Sequence, residues 1–170
     1  MVTSRIPSGP WLSPARQWDS LRRASYEAFE GSLGRNRWQA SFDLRPTPAS
    51  RKYRVRISFA NNSRPDVHVL APDLFALAGG RPLPHIFVPK QHPASLCLYR
   101  GKYGDWTRSM YVCDTIVPWT AEWLLNYELW LATGEWFGGG EHPQGGSVEK
   151  FTDRFERRLQ TNANPDRFFK

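Results

Sequence analysis

The clearest periodicity along the chain has a period of two. In Trp38-Gln39-Ala40-Ser41-Phe42-Asp43-Leu44 every even position is apolar, and in Tyr53-Arg54-Val55-Arg56-Ile57-Ser58-Phe59 every odd one is. Successive side chains of a strand point to opposite faces, so each stretch predicts a strand with one buried face. The proline-bearing Arg45-Pro46-Thr47-Pro48-Ala49-Ser50 joins them as a hairpin loop. Asn61-Asn62-Ser63-Arg64-Pro65 then turns the chain into a third strand, Val67-His68-Val69-Leu70. Beyond Gly79-Gly80-Arg81-Pro82-Leu83-Pro84, the run His85-Ile86-Phe87-Val88 predicts a short fourth strand or edge segment. Short turns between consecutive strands make an antiparallel meander. His68 falls on the polar phase of its strand and reads as a surface histidine.

On either side of the strands the spacing changes to three and four. Ser13-Pro14 pairs a capping hydroxyl with a first-turn proline, which predicts a helix from residue 14 to about 33, with Trp18, Leu21, Ala24 or Ser25, and Ala28 or Phe29 on one face. Gly31 and Gly34 supply its stop. A second helix opens at Thr115-Ile116-Val117-Pro118-Trp119 and ends at Gly134, burying Ile116, Trp119, Trp123 or Leu124, Tyr127, and Trp130 or Leu131. Four aromatics on one helix read as core packing and not as a ligand cage. Ser147 caps a last amphipathic helix carrying Phe151, Phe155 and Leu159. Before it lies a connector with five glycines, residues 138–146, which lacks the GK[ST] of a phosphate loop. The pattern as a whole is α+β, in one domain over residues 1–170, with an arm at 1–12 and a tail at 161–170.

The totals narrow the function classes. A chain of 170 residues suits one domain, and eight tryptophans require a core built from large planar side chains. No apolar run approaches the roughly 18 residues of a membrane helix, and the first residues lack an apolar signal core, so a cytoplasmic location without membrane contact is expected. The net charge is +7, concentrated at the ends: residues 1–60 carry eleven Lys and Arg against four acids, and residues 149–170 carry six against four. Such a field favours acidic partners. The strand arginines lie on a polar face without interleaved aromatics, so no nucleic-acid partner is expected.

Candidate chemistry centres on Leu96-Cys97-Leu98-Tyr99, between the Pro-broken Pro89-Lys90-Gln91-His92-Pro93 and the turn-rich segment from Arg100 to Trp106. A thiol leaving a short apolar stretch into a glycine-bearing loop stands at the edge of a packed layer. Lys90, His92, Arg100 and Lys102 all lie within seven residues of it, and positive charge lowers a thiol from its ordinary pKa of about 8.5. Burial as a structural cysteine is the alternative. His85, His92, Cys97 and Cys113 are the soft ligands, but no CxxC or HxxxH spacing joins them, so no metal and no other cofactor is expected. A lone cysteine pair without a secretion signal also argues against a disulfide.

A more specific likeness comes from His92-Pro93, Leu96-Cys97-Leu98-Tyr99, Asp105-Trp106, Ile116-Val117-Pro118-Trp119, Glu122-Trp123-Leu124, Tyr127-Glu128 and Trp130-Leu131-Ala132-Thr133-Gly134-Glu135-Trp136. This succession, across about residues 33–143, resembles the bacterial ubiquitin-conjugating-enzyme-like proteins of type II (short) cyclic-oligonucleotide-based anti-phage signalling systems (CBASS). The resemblance implies a UBC-like fold: an N-terminal helix, a four-stranded antiparallel meander, an active cysteine after the sheet, then C-terminal helices.

It also implies that Cys97 accepts the C-terminal acyl group of a cGAS-like (cyclic-GMP-AMP-synthase-like) nucleotidyltransferase as a thioester and passes it to an amine. The chain matches the stand-alone form without an adenylating domain, so activation of the acyl group is expected elsewhere. Eukaryotic relatives carry His-Pro-Asn well upstream of the cysteine, whereas this chain reads His92-Pro93-Ala94. Ala94 neither donates nor orients, which leaves the oxyanion to backbone N–H groups after Cys97, or to His92 or His85. His92 and Asp105 are the candidate catalytic partners of Cys97, Asp105 toward the attacking amine. Tyr99, Arg100 and Trp106 are the candidate binding residues, Tyr99 and Arg100 holding the loop or contacting the bound tail and Trp106 packing beneath it, and Cys113 reads as structural. A non-catalytic adaptor that binds and regulates the nucleotidyltransferase on the same fold is the alternative function.

Overall fold

Ser13 starts the first helix as its sequence predicts. The Ser13 hydroxyl accepts from the Arg16 N–H at 3.3 Å, with proline in the first turn, and α1 runs over Pro14–Arg23. The helix then stops short of the expected boundary. Ser25 and Ala28 take positive φ (55° and 51°), and the chain becomes an edge strand, β1 (Glu27–Leu33). Glu27 pairs with Asp43 and Glu30 with Ser41, so three residues of β1 advance against two of β2 in a bulge. That extra residue puts Tyr26 and Phe29 on the same face, both against Phe42, with ring centroids at 4.4 Å and 6.2 Å. A spacing of three, which reads locally as helix, is here a bulged strand. Nor is Gly31 a helix stop: a β carbon there would sit 2.2 Å from the Gln39 carbonyl oxygen, so the close approach of β1 to β2 requires glycine.

The computed structural model describes residues 10–61, 63–87, 90–99 and 104–138, and the chain divides into two units, Met1–Trp136 and Phe137–Lys170. Every helix and strand among the described residues belongs to the first unit. The helix expected after Ser147, most of the glycine-rich connector, the start of the N-terminal arm and the C-terminal tail lie outside the described residues.

The sheet holds five antiparallel strands in the order β1-β2-β3-β4-β5, with β2 Arg37–Leu44, β3 Tyr53–Ala60, β4 Asp66–Ala71 and β5 Ala94–Ser95. The period-two pattern holds: Tyr53, Val55, Ile57 and Phe59 are buried and the residues between them half-exposed. The pattern predicts four strands, and two differences account for the count. The first strand comes from the stretch that reads as helix. The last is Ala94–Ser95, while Ile86 makes only a single antiparallel bridge, to Leu96. The 85–87 segment is thus the outer arm of a hairpin whose inner arm pairs with β4; Val88 lies outside the described residues.

A five-residue helix, α2 (Leu74–Ala78), is capped by the Asp73 carboxylate and closed by Gly79 at φ +61°. The long helix α3 (Ile116–Thr133) ends at Gly134 with φ +77°, as its sequence predicts. It joins the inward sheet residues in one continuous apolar cluster, each large side chain in it stabilising the fold by about 1.5–3 kcal/mol. Polar ties fix its position: the Tyr127 hydroxyl donates to the Leu74 carbonyl at 2.7 Å, and Glu128 accepts from the Tyr53 hydroxyl (2.9 Å) and the Arg51 N–H (2.8 Å). Gln17, fully buried on α1, donates to the Met110 carbonyl at 2.8 Å and accepts from the Val112 N–H at 2.9 Å. Among the described residues no helix is long and apolar enough to cross a membrane.

Candidate active site

Cys97 stands where the chain leaves the sheet. Leu96 still donates to the Val67 carbonyl at 2.9 Å, and the Cys97 N–H donates to the His85 carbonyl at 3.0 Å. Ala94 and Leu96 are buried while Ser95 and Cys97 are half-buried. Neither cysteine is in a disulfide. Burial pushes the Cys97 thiol up, and no cation among the described residues offsets it. Lys90 and His92 therefore do not activate the thiol as their sequence proximity suggests; Arg100 and Lys102 lie outside the described residues.

What fixes Cys97 is the His85 backbone, itself held by aromatic rings on and just beyond α3. The His85 carbonyl that accepts from Cys97 also accepts from the Trp123 indole N–H at 3.1 Å. His85 holds a left-handed conformation (φ 48°), and its ring lies 5.1 Å from Trp136. Trp136 in turn lies 5.3 Å from Trp123, which stacks on Tyr127 at 5.6 Å. Trp123 reads from sequence as one more core aromatic. Its indole nitrogen is the part that matters here, and no spacing in the sequence pairs it with His85.

The other expected site residues fall into three groups. His92 is exposed, with Nδ1 3.7 Å from the Asp73 carboxylate oxygen that also caps α2. Among the described residues no hydrogen bond links it to Cys97. Asp105 is exposed in the turn before Trp106. Trp106 itself is only 5% exposed and packs edge-to-face on Phe59 at 6.0 Å, so it supports the loop from within the core and is not a surface for a bound tail. Tyr99 is half-buried, donates to the Pro65 carbonyl at 3.3 Å, and packs against Trp119 at 5.8 Å. Burial pushes its phenol up to about 12, with Arg64 opposing and Asp66 and Cys97 reinforcing the shift. Tyr99 is therefore a strut beside the thiol. Arg100 lies outside the described residues.

Two further residues complete the picture. Cys113 sits 2.7 Å from the Ser20 hydroxyl and ties α1 to the turn before α3. His68 is half-buried and not on an open surface, because the Ser95 strand is laid beside it. Among the described residues no group of three or more His, Cys, Asp or Glu is placed to hold a metal ion.

No curated protein matches the chain. A family model described as "Type II CBASS E2 protein" matches residues 17–143, from α1 through the sheet, Cys97 and α3 to beyond Trp136. With an N-terminal helix, a five-stranded antiparallel meander that hands the chain to a half-buried thiol, and a long aromatic helix behind it, the chain belongs to the Type II CBASS E2 protein family.

Proposed function

We propose that this protein is a ubiquitin-conjugating-like acyl carrier of CBASS, with Cys97 as nucleophile and the C-terminus of a cGAS-like nucleotidyltransferase as donor. The supporting observation is the placement of Cys97: a half-exposed thiol at the exit of the sheet, its backbone held by the His85 carbonyl, in a chain of this family. The Cys97 thiolate attacks the activated C-terminal carbonyl, a C–S bond forms, and the activating group leaves. A neutral amine then attacks the thioester, a C–N bond forms, the C–S bond breaks, and the thiolate is restored. The Cys97 N–H is committed to His85, so stabilisation of the oxyanion falls to groups beyond it: later backbone N–H groups, or the His85 or His92 side chain. His92, exposed near Asp73, and Asp105, exposed in the flanking turn, are proposed to take the amine's proton.

A second reading, the non-catalytic adaptor, is favoured by one observation: the thiol is pushed up by burial, opposite to what an activated nucleophile needs. Co-expression with the nucleotidyltransferase, followed by intact-mass analysis, separates the two. An adduct cleaved by thiols in the wild type, absent in Cys97→Ala and converted to a thiol-resistant ester in Cys97→Ser, establishes the carrier. A complex that forms equally in all three without an adduct establishes the adaptor.

A further inference from the structure

On the outward face of the sheet, several basic side chains are neutralised in place. Lys52 lies 2.6 Å from Glu27 and 3.6 Å from Asp43, and Arg54 pairs with both Glu30 and Asp43. Arg56, two residues further along β3 on the same face, makes no ion pair among the described residues. Directly across the ladder from it stands His68, across from His68 stands Ser95, and Phe87 lies beyond, its N–H donating to the Ser95 carbonyl at 2.9 Å.

This row floors a cleft of about 430 Å³, with Asp66 and Gln91 also lining it. The volume lies within the range of about 300–1,000 Å³ found for small-ligand sites. Arg56 and His68 both line it, and Arg56 Nε and His68 Nδ1, which have almost no exposed surface, make no hydrogen bond among the described residues. Each such orphan costs about 1–3 kcal/mol, and two basic groups directly opposite across strands disfavour one another. Burial first, and Arg56 second, hold His68 below its ordinary value, while Asp66 acts the other way. At the far end the Phe87 ring, 49% exposed, offers an apolar surface.

We propose that this cleft binds a carboxylate carried on an apolar or aromatic body, the carboxylate seated between the Arg56 guanidinium and the His68 ring and the body lying along Ser95 onto Phe87. A single anion there offsets the Arg56 charge and separates the two basic groups. Asp66 on the lining disfavours a phosphate dianion but leaves room for one negative charge. With strands about 4.8 Å apart, His68 and the Phe87 segment are separated by about 10 Å, the reach of an arylbutyrate or of a short peptide with an aromatic and an acidic side chain. The site does not rest on the acyl-carrier reading: its walls come from the sheet face, and it stands whether or not Cys97 reacts.

The test is titration of the isotope-labelled protein, followed by amide chemical shifts, with 4-phenylbutyrate, its neutral amide, the blocked tripeptide acetyl-Phe-Gly-Glu-amide and inorganic phosphate. The expected result is saturable shifts at His68, Ser95 and Phe87 with at least one of the two carboxylates and none with the neutral amide. Tighter binding by 4-phenylbutyrate assigns the source to a free acid, tighter binding by the tripeptide to a peptide side chain. Arg56→Gln weakens binding at least tenfold, and Arg56→Lys, which keeps the charge but lacks the planar guanidinium fork, weakens it at least threefold. Absence of saturation by either acid, equal binding of the neutral amide or of phosphate, or unchanged affinity in Arg56→Lys overturns the proposal.

Discussion

At the scale of single residues, Cys97 has a placement suited to catalysis and an environment that keeps its proton on. Because burial raises its pKa, less thiolate is present at neutral pH than for a free cysteine. In a Cys113→Ser background, iodoacetamide is therefore expected to alkylate Cys97 several-fold more slowly than glutathione at pH 7. The rate should keep rising beyond pH 9, where a free thiol levels off; a plateau near pH 8 would contradict the raised value. The Trp123 indole offers a separate handle. Trp123→Phe keeps a ring against Tyr127 and Trp136 but removes the donor to the His85 carbonyl. It is expected to cost about 1 kcal/mol of stability, and to accelerate Cys97 alkylation by loosening the segment that covers it.

At the scale of elements, the boundary between α1 and β1 is where sequence and structure part. The residues themselves carry a three-and-four spacing, and Tyr26 and Phe29 obey it; a bulge lets a strand satisfy the same spacing while stacking both rings on Phe42. Local periodicity has no access to that partner, which lies in another strand. Gly31→Ala tests the assignment. A methyl group 2.2 Å from a backbone oxygen forces β1 away from β2, with an expected loss of about 1–3 kcal/mol in urea unfolding, whereas alanine in a helix would have stabilised the protein. Gln17 is equally illegible, since a polar residue on a helix reads as surface. Gln17→Leu leaves the Met110 carbonyl and the Val112 N–H buried without partners and is expected to cost about 1–3 kcal/mol.

At the scale of the whole molecule, the phenols couple stability to alkaline pH. Burial pushes Tyr26, Tyr99 and Tyr127 up to about 12, and raises Tyr53 as well, with Glu128 adding to the effect. The unfolded chain gives up these protons near pH 10, while the native one retains them, so between those values the native state binds more protons and stability falls as pH rises. Denaturation midpoints measured from pH 8 to pH 11 are expected to decline above about pH 10, in step with phenolate absorbance appearing on unfolding. A midpoint flat across that window would contradict the buried phenols.

The chain by itself determined the strands 38–44, 53–59 and 67–70, the start of α1 at Ser13, the full span of α3 to Gly134, and the position of Cys97 at the exit of the sheet. Each follows from neighbours in sequence: alternation, a capping hydroxyl, a terminal glycine. Only the tertiary structure decided that a fifth strand precedes the meander and that β5 is Ala94–Ser95. It alone decided that the His85 carbonyl is shared between Cys97 and Trp123, and that Arg56 and His68 face one another over a cleft. These depend on partners a dozen or more residues away, brought together by the burial of aromatic rings and by the pairing of strands, and the physical reason is that a local pattern fixes which face of an element is apolar but not what that face will meet.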